Sequence, residues 1–416
     1  MQSFDIVIVG GGMAGLTAAL CFAQHNLSIG LIEAVEPKSC HTPGFDQRAI
    51  ALSASSIRIF KSLGAWPLIR GLAQPIEHIH VSDQGQCQFT RLDAKAHNLD
   101  QFGAVIPLDA VGPILWRQVA KKSNISLFCP ATPVSINQHE SKCTLSFEIS
   151  GQSGILQTSL LIAADGTFSK IAQLCGIDVA RKPYAQTAVI ANIKTQKPHR
   201  NCAFERFTPQ GPLALLPLQN NQMSLVWCHD STHAESIMAK NDEDFMADLQ
   251  QEFGYRLGQI LKVSERYSYP LALHQTKAFS RGRVLMLGNA AHTLHPIAGQ
   301  GFNLGLRDVA VANDLILQAK SNEFSLGDPQ FMQQYQMLRA SDWQLTVGAT
   351  DGLVKLFSND WLPVSLLRSK ALGLINLLPF AKQQLVNAAT GYSGHSSRLA
   401  RGLANPVINI DNGLTD

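Results

Sequence analysis

The sequence predicts an α/β protein: a buried parallel sheet carrying glycine-rich turns, with a second, mixed sheet interleaved along the chain. Three observations predict it. A β-branched strand runs through a G-x-G-x-x-G turn into an Ala/Leu-rich helix over residues 5–25. Another buried strand opens onto a Gly/His/Pro-rich loop and a helix over 283–310. Between them, strand-like alternation recurs at Ala188 to Ile193, Leu213 to Leu218 and Ser224 to Trp227.

The first element begins with Asp5 to Gly10, a short β-branched run of the kind buried on both faces of a parallel sheet. It leads into Gly10-Gly11-Gly12-Met13-Ala14-Gly15, then a helix from Leu16 to His25 with Asn26 as its stop. A second strand, Ser28 to Ile32, ends on Glu33, eighteen residues beyond Gly15. Each residue type has a task in a dinucleotide site. Gly10 permits the tight turn, Gly12 lets backbone approach a pyrophosphate, and Gly15 lets helix and strand pack closely. The helix N-terminus offers free N–H groups and a positive dipole end, and Glu33 can accept hydrogen bonds from an adenosine ribose. This fingerprint does not choose between FAD and NAD(P).

The second element is a buried strand, Leu160 to Ala164, ending in Asp165-Gly166. Alone, Asp-Gly reads as an ordinary β-turn. The third is the densest. Arg283 to Gly288 is a strand, followed by Asn289 to Gly299, then Gln300-Gly301-Phe302-Asn303 opening a helix through Ala310. Small residues at 288–291 let backbone lie against a ligand, and Pro296 stiffens the loop. A helix start at this point would stabilise negative charge on the N1–C2=O edge of a reduced flavin. His292 and His295 lack further ligands at metal spacing, so packing or polar contacts are expected of them and no metal is assigned.

Composition excludes several classes. The 416 residues suffice for two interleaved domains and a C-terminal appendage. A net charge of +3 with no basic run argues against a nucleic-acid partner. The eight cysteines form no CxxC pair, which fits reduced thiols in a cytoplasmic chain. The N-terminus lacks a charged signal-peptide start, and no stretch is apolar for long enough to span a bilayer. The expectation is a soluble cytoplasmic chain, at most peripheral to the inner face of the membrane. Residues 361–410 carry Arg368, Lys370, Lys382, Arg398 and Arg401 and no acid, and Trp361 to Phe380 is strongly apolar. That segment would lie on an anionic membrane, dock a partner, or pack as a core helix.

Taken together and in this order, the three elements resemble the class A flavoprotein aromatic hydroxylases. Within them, residues 288–308 are similar to the ubiquinone-biosynthesis hydroxylases, including Asn289 where the general pattern has aspartate. Phe45 to Leu52, His80 to Asp83, Phe204 to Pro217, Ser224 to Cys228 and Tyr269 to Leu271 agree. The resemblance implies a p-hydroxybenzoate-hydroxylase-like fold. Its FAD-binding domain would be discontinuous (1–74, 104–180 and 276–350), the substrate domain would comprise 75–103 and 181–275, and 351–416 would be a helical segment.

The resemblance also implies FAD as cofactor, with NAD(P)H and O2 as co-substrates and no separate Rossmann domain for NAD(P)H. Gly10, Gly12, Gly15 and Glu33 would hold the ADP half, and Arg48 the pyrophosphate or flavin. Asp165 would belong to the Asp-Gly element, and Gly288, Asn289, Gly301, Phe302 and Asn303 would hold the ribityl chain and ring. Pro296 would lie beside the reactive flavin edge, with His295 a candidate base or a packing residue. The implied substrate is a polyprenyl-phenol, hydroxylated at C1 of 2-polyprenyl-6-methoxyphenol, within or beside a ubiquinone-biosynthesis complex. Two alternatives stay open: another ring carbon of that pathway, and a FAD-binding subunit without turnover. A flavin halogenase is disfavoured, since no Trp-x-Trp-x-Ile-Pro segment occurs.

Overall fold

The computed structural model describes residues 1–36, 48–85, 89–294, 300–321, 324–357, 379–392 and 397–405. Its first sheet is built on the predicted strand–turn–helix. The strand Gln2–Val9 lies between Gln152–Ala163 and Ile29–Ile32, parallel to both. Val284–Met286 and Ile125–Phe128 extend the parallel array on either side. Ile6, Val7 and Ile8 are wholly buried, as a strand covered on both faces requires. A meander of Ala131–Gln138, Cys143–Ile149 and Gln152–Ala163 adds antiparallel strands.

The helix Met13–Ala23 is apolar nearly all round, and Gly15 to Ala23 are buried in an unbroken run. It packs against the helices Leu108–Ala120 and Gln300–Lys320, which explains why no face of it is polar. Tyr335 and Phe331, from the long helix Pro329–Phe357, close the same core.

The second sheet is mixed and nine-stranded. Its central strands Val179–Thr195, Gln222–Asp230, Gly211–Leu218 and Cys202–Thr208 run antiparallel, and Cys202–Thr208 pairs in parallel with His78–Asp83. Leu213, Leu215, Leu225 and Trp227 face one way, onto Phe245, Leu249 and Phe253 of the helix Asp242–Phe253. Two residues of the third glycine element, His292–Thr293, join this sheet by pairing with Tyr267–Thr276. The sheets therefore meet at that element.

A small third sheet, Ala49–Ser53, Gly103–Pro107 and Gln74–Ile76, lies at the junction. Ile76, Phe102 and Val105 share a core with Ala203, Leu216 and Leu218 of the mixed sheet and with Val386 of the helix Pro379–Thr390. The C-terminal stretch is represented by that helix, the end of Pro329–Phe357 and a turn at Leu399–Arg401; the apolar run from Trp361 to Leu378 lies outside the described residues. Among the described residues no helix is long and apolar enough to cross a membrane. The thiols of Cys21, Cys143 and Cys228 are buried and unpaired, and burial pushes Cys143 up to about 12.

Candidate cofactor site

The glycine fingerprint is built as a cradle at the C-terminal end of Gln2–Val9. Gly10 has φ +110°, and a Cβ there would collide with the Ala164 carbonyl. A Cβ on Gly15 would collide with the carbonyl oxygen of Gly10, so helix and strand touch backbone to backbone. Gly12 differs: it caps the helix without a side-chain bond, and a Cβ there would meet nothing within 4 Å. The helix start at Gly12 thus opens onto space that no neighbouring atom fills. That geometry suits a pyrophosphate.

Glu33 completes the cradle. One carboxylate oxygen accepts from the Gly11 N–H, the other from the Val35 N–H at 2.8 Å. A carboxylate accepts about four hydrogen bonds, so both oxygens retain lone pairs for ribose hydroxyls. Gly11, the variable position of the fingerprint, is wedged here: a Cβ would lie 2.8 Å from the Trp116 ring and 3.0 Å from Glu33 Cβ.

Asp165 uses its carboxylate locally. Ser169 Oγ donates to one oxygen at 2.5 Å, and the Ile171 N–H to the other at 3.0 Å. Burial raises its pKa, and these hydrogen bonds oppose that. The aspartate therefore organises the turn into the short helix Lys170–Leu174, capped by Ser169 Oγ accepting from the Ala172 N–H. Two residues on, Thr167 and Thr293 share a hydroxyl hydrogen bond of 2.9 Å, which ties the second glycine element to the third.

In the third element, Gly288 has φ +56° and stands against Ala14 and Gly305, so the first and third motifs touch through small residues. Asn289 is exposed at the strand's end, while Ala290 and Ala291 are buried. Asn303 is buried and committed to the fold. Its Nδ2 donates to the Ala51 carbonyl at 2.9 Å; its Oδ1 accepts from the Ser53 N–H at 2.9 Å and Ser56 Oγ at 2.7 Å. It pegs the start of Gln300–Lys320 to the strand Ala49–Ser53. Gly301 and Phe302 are half-buried on the same turn, and a Cβ on Gly301 would meet nothing within 4 Å. Arg48, just before that strand, is exposed and reaches across to the mixed sheet, donating to Tyr269 Oη at 3.3 Å. Among the described residues no carboxylate pairs with it. His295 and Pro296 lie outside the described residues.

A buried ion network beneath this loop escaped the sequence reading. Asp308 accepts from the Gly288 N–H at 2.8 Å, meets His292 Nε2 at 2.9 Å, and binds Arg339 Nε at 2.6 Å. Arg339 continues to Asp342 at 2.5 Å, and Asp342 to Arg307 at 3.2 Å. Burial alone would raise the Asp308 pKa; Arg339 and His292 outweigh it and hold the carboxyl below the usual range. The histidine is thus a polar contact of the loop, as its spacing suggested. The only sequence signal for the network was the Arg307-Asp308 pair inside an apolar helix.

A cradle of this kind on a parallel sheet, bound to a mixed second sheet by its third glycine loop, defines a FAD-binding flavoprotein. The family model described as "FAD binding domain" matches residues 3–335. The chain is 33% identical over 387 residues to a ubiquinone hydroxylase of Rhodospirillum rubrum, covering 93% of this chain and 89% of the relative. It is 29% identical to the 3-demethoxyubiquinol 3-hydroxylase of Escherichia coli, covering 94% and 99%. In fold it is similar to p-nitrophenol 4-monooxygenase of Pseudomonas putida, with TM-score 0.76, 16% identity and coverage of 94% and 99%. The chain therefore belongs to the FAD-binding aromatic hydroxylases, in the branch that holds the ubiquinone-biosynthesis hydroxylases. It is a flavoprotein monooxygenase, and NAD(P)H is the co-substrate of these hydroxylases.

Proposed function

We propose that this protein hydroxylates the ring of a polyprenyl-phenol during ubiquinone biosynthesis, at C1 of 2-polyprenyl-6-methoxyphenol. The observation that carries the reading is the meeting of all three glycine elements at one sheet end, in a chain that matches ubiquinone hydroxylases along nearly its whole length. A second reading, insertion at another ring carbon, is favoured by the likeness to a 3-demethoxyubiquinol 3-hydroxylase.

When bound, FAD would supply the redox and oxygen-transfer chemistry, with NAD(P)H as the reductant and O2 as the source of the ring oxygen and of one water. The chain's own residues bind and orient. The N–H groups at the start of Met13–Ala23 hold the pyrophosphate, Arg48 faces the pyrophosphate or the flavin, and Glu33 holds the adenosine ribose. Asn289, Gly301 and Phe302 offer backbone and side-chain contacts to the ribityl chain and ring, with Asn303 fixing their turn. Pro296 and His295 complete this reading beside the substrate. The residues 361–401 are proposed to contact the membrane or a partner, a role that a polyprenyl substrate favours.

The test is product analysis of a strain lacking this protein. Accumulation of 2-polyprenyl-6-methoxyphenol supports the C1 assignment; a precursor already oxygenated at C1 overturns it in favour of another carbon. Purified protein that holds FAD yet shows no NAD(P)H oxidation stimulated by a short-chain prenylphenol would leave only the subunit without turnover.

A further inference from the structure

One rung of the mixed sheet stands apart from its neighbours. Register places Val81, Glu205, Ala214, Val226, Ile190 and Tyr267 side by side on one face. All six are half-buried, whereas on the next rung Asp83, Phe207, Pro212, Cys228 and Ala188 are buried. The opposite face is closed by the helix Asp242–Phe253 through Phe204, Leu213 and Trp227. The rung therefore looks the other way, toward the small junction sheet, where Ala203, Leu216 and Leu218 of the same face pack on Ile76, Phe102 and Val105.

Two links tie this face to the cofactor cradle. Tyr269 pairs with Ala188 on the buried rung and receives the hydrogen bond from Arg48. The strand Ala49–Ser53, held by Asn303, borders the same junction. The rung is apolar apart from Glu205 and the Tyr267 hydroxyl, and the buried Asp83 follows Val81 on the same face. Glu205 Oε1 is shut off from solvent and has no hydrogen-bond partner among the described residues. A stranded carboxyl oxygen is costly in a fold unless a ligand satisfies it.

We propose that Glu205 is a catalytic residue of the hydroxylation: its carboxylate meets the phenol hydroxyl of the substrate and takes its proton. The inference rests on the polyprenyl-phenol reading given above. A largely apolar face with a stranded carboxyl oxygen suits a ligand that is hydrocarbon apart from a phenol. The O–H bond breaks, the proton goes to the carboxylate, and the electron pair stays on oxygen, enriching the ring for attack by an electrophilic oxygen. When the hydroxylated ring regains aromaticity it loses the proton of the attacked carbon to solvent, and the Glu205 proton returns to the phenolate oxygen. O2 is the oxidant and NAD(P)H the reductant, as in the parent reaction. Burial pushes the carboxyl up to about 8, so its conjugate base is stronger than an exposed carboxylate and closer to a phenol of pKa about 10.

The test compares wild type with Glu205→Gln and Glu205→Leu as flavin-loaded enzymes at pH 8.5, with NADPH, O2 and a short-chain prenylphenol. Expected for both variants is full FAD content and a fall in hydroxylated product of tenfold or more, with reduced flavin diverted to hydrogen peroxide. A fluorinated prenylphenol, already ionised at that pH, should recover most of the loss. A purely structural role predicts no such recovery. Unchanged product per NADPH in both variants, or an equal deficit with both phenols, would overturn the role of Glu205 while leaving the hydroxylase reading intact. Absence of product from wild type would overturn both.

Discussion

Replacing Arg339 by leucine removes the central cation of the buried network beneath the third glycine loop. Its side chain is 1% exposed and holds Asp308 at 2.6 Å and Asp342 at 2.5 Å. Asp342 would keep Arg307, while Asp308 would keep His292, the Gly288 N–H and the more distant charge of Arg307. Stranding one member of a buried pair costs about 3–5 kcal/mol. At roughly 2 cal/mol/K of unfolding entropy per residue, a chain of 416 residues shifts by roughly 1 °C per kcal/mol, so the melting temperature should fall by roughly 3–6 °C. Because Asp308 fixes Gly288, FAD retention should fall as well. Differential scanning fluorimetry read alongside flavin fluorescence measures both. Adding Asp308→Asn to Arg339→Leu should recover part of the loss, since the stranded charge is gone. A fall under about 2 °C with full FAD content would refute the network as an anchor of the loop.

Other outcomes follow from single contacts. Gly12→Ala should fold normally, because its φ of −69° suits alanine and a Cβ meets nothing, yet weaken FAD binding; Gly15→Ala, which collides with the Gly10 carbonyl, should yield no folded protein. Titration calorimetry and soluble yield separate the two. Asn303→Ala strands the Ser53 N–H and the Ala51 carbonyl and should cost about 1–3 kcal/mol in urea unfolding. Buried histidines and the buried glutamate should tilt stability against pH in opposite directions. Burial lowers His80 and His229 to about 4 from 6.5, so the unfolded chain binds more protons and stability falls as pH drops through that window. Burial raises Glu205 from 4.5 to about 8, so the native state binds more protons and stability falls as pH rises through that range. Urea midpoints should therefore rise less steeply between pH about 4 and 6.5 in His229→Phe, and fall less steeply between pH 4.5 and about 8 in Glu205→Leu.

The first glycine element was legible because its physics is local. Strand, turn, helix and terminal acid lie within Asp5 to Glu33, and each residue's task follows from spacing alone. The ion network was not legible in that way. Asp308 and His292 are sixteen residues apart, and Arg339 with Asp342 reads in sequence as a routine surface pair on a helix. Only the packing of Gln300–Lys320 against Pro329–Phe357 turns those charges inward. Asn303 is expected at the flavin; its amide is also a peg between two elements, a role visible only once Ala49–Ser53 is placed beside it. Glu205 likewise sits in an alternating strand where pattern would send a glutamate outward to water. The mixed sheet is covered on its other face by a helix, and the outward side looks into the junction instead.

The hydroxylase account meets its most direct test in labelled oxygen. Flavin-loaded protein, NADPH, a short-chain prenylphenol and 18O2 should give a product carrying one 18O atom, with product formed only when FAD is bound. Oxidation of NADPH with no label in the ring, or a labelled product from flavin-free protein, would contradict it.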